Sequence, residues 1–124
     1  MTSLSLAQKI RWDDMEFEVV NDHMRRKIIT GERMTLAHIF FDDGFLVPCH
    51  THENEQITQV VQGLMRFKFG EAQDEIVDVG PGEAVVIPSN VPHSALVIGD
   101  VEEMDFWSPR REDWLNKSDD YLRK

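Results

Sequence analysis

From Met24 to Trp107 the chain is cut by turn residues into short runs, and the best-defined run has an apolar period of two. Met65, Phe67 and Phe69 alternate with Leu64, Arg66 and Lys68, the pattern of a half-buried strand. Arg33–Phe41, Ile57–Val61, Ile76–Val79, Ala84–Ile87, Pro92–Ile98 and Val101–Trp107 read as further strands. Asp42-Asp43-Gly44, Gln62-Gly63, Gly70–Gln73 and Gly80-Pro81-Gly82 read as the turns between them. Strands of this length with regularly spaced turns predict an all-β sandwich or barrel.

The ends read differently. Residues 1–20 are poorly periodic and suit a short helix or an arm lying across a partner. After Trp107, Ser108-Pro109 offers an N-cap and a first-turn proline. Trp114, Ser118, Tyr121 and Leu122 then fall near helical spacing, which predicts one C-terminal helix over about 109–122, packed through Trp114.

Against this background one constellation carries chemistry. His50-Thr51-His52 places two imidazoles on one strand face, because side chains at i and i+2 point the same way. Gln56 has the same parity, and His93 arrives from a distant segment. Three imidazoles and a carbonyl oxygen suit iron, nickel, zinc, copper or manganese. Four protein ligands on a six-coordinate ion leave two positions for chemistry. Cys49 has the opposite parity and is expected to point away. His38 shares parity with Met34, Leu36 and Phe40, so it faces either the cavity or a hydrogen-bonding partner in the core.

Charge and size narrow the partners. A chain of 124 residues is read as one domain, 1–124, large enough to bury a core. The formal net charge of −10 argues against nucleic acid and anionic membranes. An anionic substrate would therefore need local positive charge. A single cysteine permits no internal disulfide and fits a reducing cytoplasm. The first residues lack a signal-peptide pattern, and no run approaches the roughly 20 apolar residues of a membrane helix. A homodimer is expected, since barrels of this size commonly pair through edge strands.

The order Gly44, His50, His52, Gln56, Gly63, then Gly82, Pro88, Asn90, His93, Val97, resembles the two signature motifs of the cupin superfamily. Gln56 stands where that pattern has glutamate, Asn90 where it has glycine, and Val97 where it has asparagine. The resemblance implies a single-domain jelly-roll barrel, core about 24–107, and one divalent metal (Fe, Ni, Zn or Mn) on His50, His52, Gln56 and His93. A glutamine in place of glutamate leaves more positive charge on the ion and favours an anionic ligand. Asparagine can replace glycine because it tolerates left-handed backbone.

Downstream, Asp105-Phe106-Trp107-Ser108-Pro109-Arg110-Arg111-Glu112-Asp113-Trp114-Leu115 resembles the KdgF group of cupins, whose pattern there is close to D-V-F-S-P-P-R-E-D-Y-L. Arg25-Arg26-Lys27-Ile28 and Gly31-Glu32 resemble its N-terminal strand. Glu53 and Asn54 stand where that group has proline and histidine, and the exchange adds the negative charge of Glu53 near the site rim. The resemblance implies opening of 4,5-unsaturated uronate rings to linear keto-uronates in pectin and alginate breakdown. It assigns Asp105 as the catalytic acid or base, and Trp107 and Arg111 to the sugar acid. Other cupin chemistries are an iron or nickel dioxygenase, a lyase of small sulfonio acids, and a non-catalytic sugar-acid-binding module. The lyase would want a tyrosine base, and Tyr121, the one tyrosine, falls in the predicted helix, away from the site.

Overall fold

The computed structural model describes residues 6–123. A single 3-10 turn at Trp12–Asp14 precedes eight antiparallel strands. These are β1 (Glu18–Asn21), β2 (Met24–Thr30), β3 (Thr35–Phe41), β4 (Leu46–His50), β5 (Glu55–Phe69), β6 (Glu75–Val79), β7 (Ala84–Ile87) and β8 (His93–Ser108). The hydrogen-bonded order is β1-β2-β3-β8-β5-β6, with β4 also on β8 and β7 also on β5. This is the all-β barrel that the strand pattern predicted, in the jelly-roll form that the cupin resemblance implied. Among the described residues, no helix is long and apolar enough to cross a membrane.

One expected turn, Gln62-Gly63, lies inside a strand, and two pairs of expected strands are continuous. Ile57–Val61 and Leu64–Phe69 are halves of β5, and Pro92–Ile98 and Val101–Trp107 are halves of β8. At Gln62-Gly63 the β5–β8 register shifts twice, between Val60 and Gln62 and between Gln62 and Leu64. An extra residue bends a strand and re-aims the side chains beyond it. Inward residues of β5 accordingly change from Gln56, Thr58 and Val60 to Met65, Phe67 and Phe69. The bend depends on Gly63, whose φ is +81. A Cβ there would lie 2.4 Å from the Asp100 carbonyl oxygen and 2.7 Å from Val101 Cγ2. Gly63→Ala is expected to cost about 3 kcal/mol, from left-handed strain plus that overlap. Thermal unfolding checks this, and an unchanged Tm would remove Gly63 from the bend.

The core obeys the same alternation. Ala37, Ile39 and Phe41 on β3 meet Met65 and Phe67 on β5 and Ala95, Val97 and Val101 on β8. His38 is therefore on the outer face. Its Nε2 meets Glu102 at 2.8 Å, and its ring lies edge-on to Trp12 at 5.6 Å. The reading that aimed His38 at the cavity is corrected by one step of strand parity.

The C-terminal segment also differs from expectation. Instead of one helix over 109–122 there are two single turns, α1 (Glu112–Leu115) and α2 (Asp120–Arg123). Ser108 ends β8, the Ser108–Pro109 peptide is cis, and Arg111 takes the N-cap position of α1. Lys117, with φ of 61, breaks the helix, and the Asn116 side chain accepts from Ser118 beside it. A left-handed residue just past a helix end is a usual terminator. The chain then turns back, so that α2 packs against β1 and β4. Buried Arg26 donates to Asp119 at 2.7 Å and to Glu18 at 3.0 Å, and Arg123 donates to both carboxylates. Arg26 also lies over the Trp114 ring at 4.1 Å.

Candidate metal centre

Strand pairing assembles the histidines. In the β4–β8 ladder His50 is the direct partner of His93, and His52 comes where the chain leaves β4. The ligand-capable atoms of His50, His52 and His93 all lie within 4.8 Å of one another. The three histidines are thus positioned to bind a metal ion.

Each imidazole is held by the backbone in the same manner. Nδ1 of His50 faces the Pro48 carbonyl at 2.8 Å, that of His52 the Asn54 carbonyl at 2.9 Å, and that of His93 the Val91 carbonyl at 2.8 Å. A carbonyl accepts only, so each Nδ1 carries the proton and each Nε2 presents a lone pair. His93 Nε2 is buried without a hydrogen-bond partner. Burial, then the neighbouring imidazoles and Arg111, push the His50 pKa down to about 3. Burial with the Arg111 charge and His93 brings that of His52 to about 4. The His93 pKa is lowered as well, chiefly by burial. All three rings are neutral near pH 7, the state that ligates.

Gln56 sharpens the argument for a cation. Its Nε2 donates to Thr58 Oγ1 at 2.9 Å, and its Oε1 accepts from Trp107 Nε1 at 2.8 Å. The same Oε1 lies 3.0 Å from His52 Nε2. A neutral imidazole has one N–H, and His52 meets an acceptor on both sides. One of those contacts is lone pair against lone pair. A cation between His52 Nε2 and Gln56 Oε1 removes that conflict and also satisfies His93 Nε2. The residues present therefore fit a divalent ion with mixed nitrogen and oxygen donors.

The pocket beside this centre is lined by His50, Gln56, His93, Asp105, Trp107 and Arg111, among others. Asp105 and Trp107 point inward from β8, as their shared parity implied. Asp105 Oδ1 is buried and has no hydrogen-bond partner. Burial raises the Asp105 pKa to about 6, while hydrogen bonds with Glu103 and Thr58 and the Arg111 charge pull it back. Trp107 is buried and packs its ring on Trp114 with centroids 4.6 Å apart.

Arg111, which the resemblance assigns to the sugar acid, is held by its neighbours within the protein. Its Nε and Nη2 donate to the two oxygens of Asp113 at 2.9 and 2.8 Å. Nη2 also donates to the Tyr121 hydroxyl at 3.0 Å. Nε and Nη2 of this buried cation are thus engaged within the protein.

Tyr121 is a site residue that the sequence reading dismissed. Its ring stacks on His50 at 4.3 Å with planes 24° apart, and its hydroxyl accepts from Arg111 and Trp114. The break at Lys117 turns α2 back over the cavity, and helical spacing gave no signal of that. Asn54 is buried rather than at the rim, and its amide donates to the Pro109 and Arg110 carbonyls. It ties the histidine loop to the segment carrying Arg111. Cys49 is exposed.

Known proteins share this fold. The Cupin domain family model matches residues 38–107. The structure of KdgF from a Halomonas species superposes with a TM-score of 0.79 at 28% identity, spanning 87% of this chain and 98% of that one. An RmlC-like cupin from Shewanella frigidimarina gives 0.77 at 24% identity over 85% and 93%. The polyketide cyclase RemF from Streptomyces resistomycificus gives 0.71 at 23% identity over 86% and 82%. No curated protein sequence matches the chain. With the family model covering more than half of its residues, this chain belongs to the cupin family.

Proposed function

We propose that this protein opens the ring of 4,5-unsaturated uronate monosaccharides to linear keto-uronates, in a metal-dependent reaction. The observation that carries the reading is Asp105: a buried carboxyl with one free oxygen, at the wall of a pocket shared with His50 and His93. The signature from Asp105 to Leu115 and the 28% identity to a KdgF structure support the same assignment.

His50, His52 and His93 would hold the ion through Nε2, with Gln56 Oε1 as fourth donor. Bound there, a divalent cation supplies Lewis-acid polarisation of a substrate oxygen. The chain's residues do the rest. Opening releases the proton of the C1 hydroxyl to solvent, from which Asp105 is later reprotonated, breaks the ring bond between C1 and oxygen, and turns that oxygen into the C5 ketone. A proton must then reach C4. Asp105 delivers it, in the manner of a positioned general acid. The positive charge of Arg111, at the pocket wall, attracts the sugar carboxylate, and Trp107 forms an apolar wall against the ring. The reaction is an isomerisation, with no oxidant and no net water.

The test is anaerobic. Purified protein is mixed with unsaturated uronate monomer, and the ultraviolet band of the C4–C5 double bond is followed with and without chelator. Loss of the band without oxygen, abolished by chelator and restored by metal, is the expected result. An unchanged band in metal-loaded protein would overturn the proposal and turn attention to oxygen-dependent chemistry or simple binding of sugar acids.

A further inference from the structure

Glu103 is buried at 2% exposure beside Asp105, on the same inward face of β8, yet the proposed reaction gives it no task. Its cross-strand partners are Ile39 on β3 and Val60 on β5, both fully buried and apolar. Among the described residues it forms no ion pair. The cations in reach are engaged elsewhere: Arg26, next along that row on β2, is held by Asp119 and Glu18, and Arg111 is forked onto Asp113. Across the cavity stand His50 and His93, both neutral, and Asp105 is flanked by Ala37 and Thr58. An unpaired carboxylate in such a place is costly, and two side by side cannot both ionise.

We infer that Glu103 is a positioning residue, whose carboxyl O–H donates to Asp105 and leaves Asp105 Oδ1 as the oxygen free to meet a substrate. The two carboxyls lie two residues apart on the inward face of β8, both buried, and Asp105 Oδ1 is a buried oxygen without a hydrogen-bond partner. Burial and the adjacent Asp105 push the Glu103 pKa well above the carboxylate range, so it is the member that keeps its proton. When Asp105 gives up a proton, the Glu103 O–H steadies the carboxylate that remains. The pair thus divides its labour: one carboxyl stays an acid throughout, and the other cycles. This rests on the ring-opening reading only for what Asp105 acts upon.

The test compares Glu103→Gln, which keeps a neutral donor, with Glu103→Met, which removes it. Metal-loaded protein is used, with zinc as the probe ion. The titration of the Asp105 carboxyl carbon is followed by NMR, with Asp105→Asn assigning the signal. Glu103→Met should raise the Asp105 midpoint by about one pH unit, the scale of one lost hydrogen bond to a charged group. It should also lower kcat on uronate about tenfold or more with little change in KM. Glu103→Gln should restore most of both. An unmoved Asp105 midpoint in a folded Glu103→Met protein would overturn the inference. So would a glutamine variant as impaired as the methionine one, which would point to Glu103 relaying protons itself. Wild-type protein that leaves uronate untouched would defeat the proposed reaction, while the NMR midpoints still decide the role of Glu103.

Discussion

Asp105→Asn is expected to lower turnover of unsaturated uronate by about 10²–10⁴-fold, the usual range for losing a positioned acid or base, with metal content unchanged. The amide keeps the shape of the side chain and the contact with Thr58, but it has no carboxyl proton to give. Steady-state kinetics alongside elemental analysis checks both halves. Activity near wild type would remove Asp105 from the reaction. The pH profile gives the sign. With a pKa of about 6, the acid form of Asp105 dominates below that value, so the wild-type rate should fall by about tenfold per unit above it. The same shift acts on stability. Folding raises the Asp105 pKa from 3.8, so its contribution is present below 3.8 and lost as pH rises through about 6. Chelated Asp105→Asn protein should therefore gain thermal stability over wild type at pH 8 and none at pH 3.

His93→Ala should lose the metal, with affinity reduced by well over about 100-fold, since even the outer partners of metal ligands are worth 10–100-fold. Dialysis against limiting metal followed by elemental analysis reads this directly. Stoichiometric metal in the variant would sink the ligand assignment. The wild-type centre should also hold its ion into acid. Protons compete with a metal only near the ligand's own pKa, and His50 and His52 sit at about 3 and about 4 rather than 6.5. Metal release on acidification should have its midpoint below about pH 5. In chelated protein these rings act on stability as well. Their folded pKa values are depressed, so stability is intact above 6.5 and falls as pH drops toward 4 and then 3.

Much of the centre was legible because it obeys strand parity. His50, His52 and Gln56 share a parity, and so do Asp105 and Trp107. Glu103 has that parity too and was readable in principle, as a carboxylate two residues before Asp105 on an inward face. The same rule left His38 open between the cavity and a hydrogen-bonding partner, because an alternating run does not say which of its faces is inside. Ala37, Ile39 and Phe41 form the buried set, and small Ala37 gives little apolar signal.

The tail resisted for another reason. Trp114, Tyr121 and Leu122 fit helical spacing, but the left-handed Lys117 splits the helix, and a lysine carries no such mark in sequence. Once split, α2 folds back onto β1 and β4, and Tyr121 reaches His50. The buried grouping of Arg26, Glu18, Asp119 and Arg123 that fastens it joins residues from opposite ends of the chain.

Sequence by itself determined the all-β barrel class through local periodicity and turn residues, and its resemblance to the cupin motifs pointed to the jelly-roll and to the trio of histidines placed to hold a metal. Tertiary structure alone decided the state of the groups: which imidazole nitrogen is free, how Arg111 is shared with Asp113, and that Glu103 lies without a cation against Asp105. Those depend on burial and on partners from distant strands, and a linear pattern records neither.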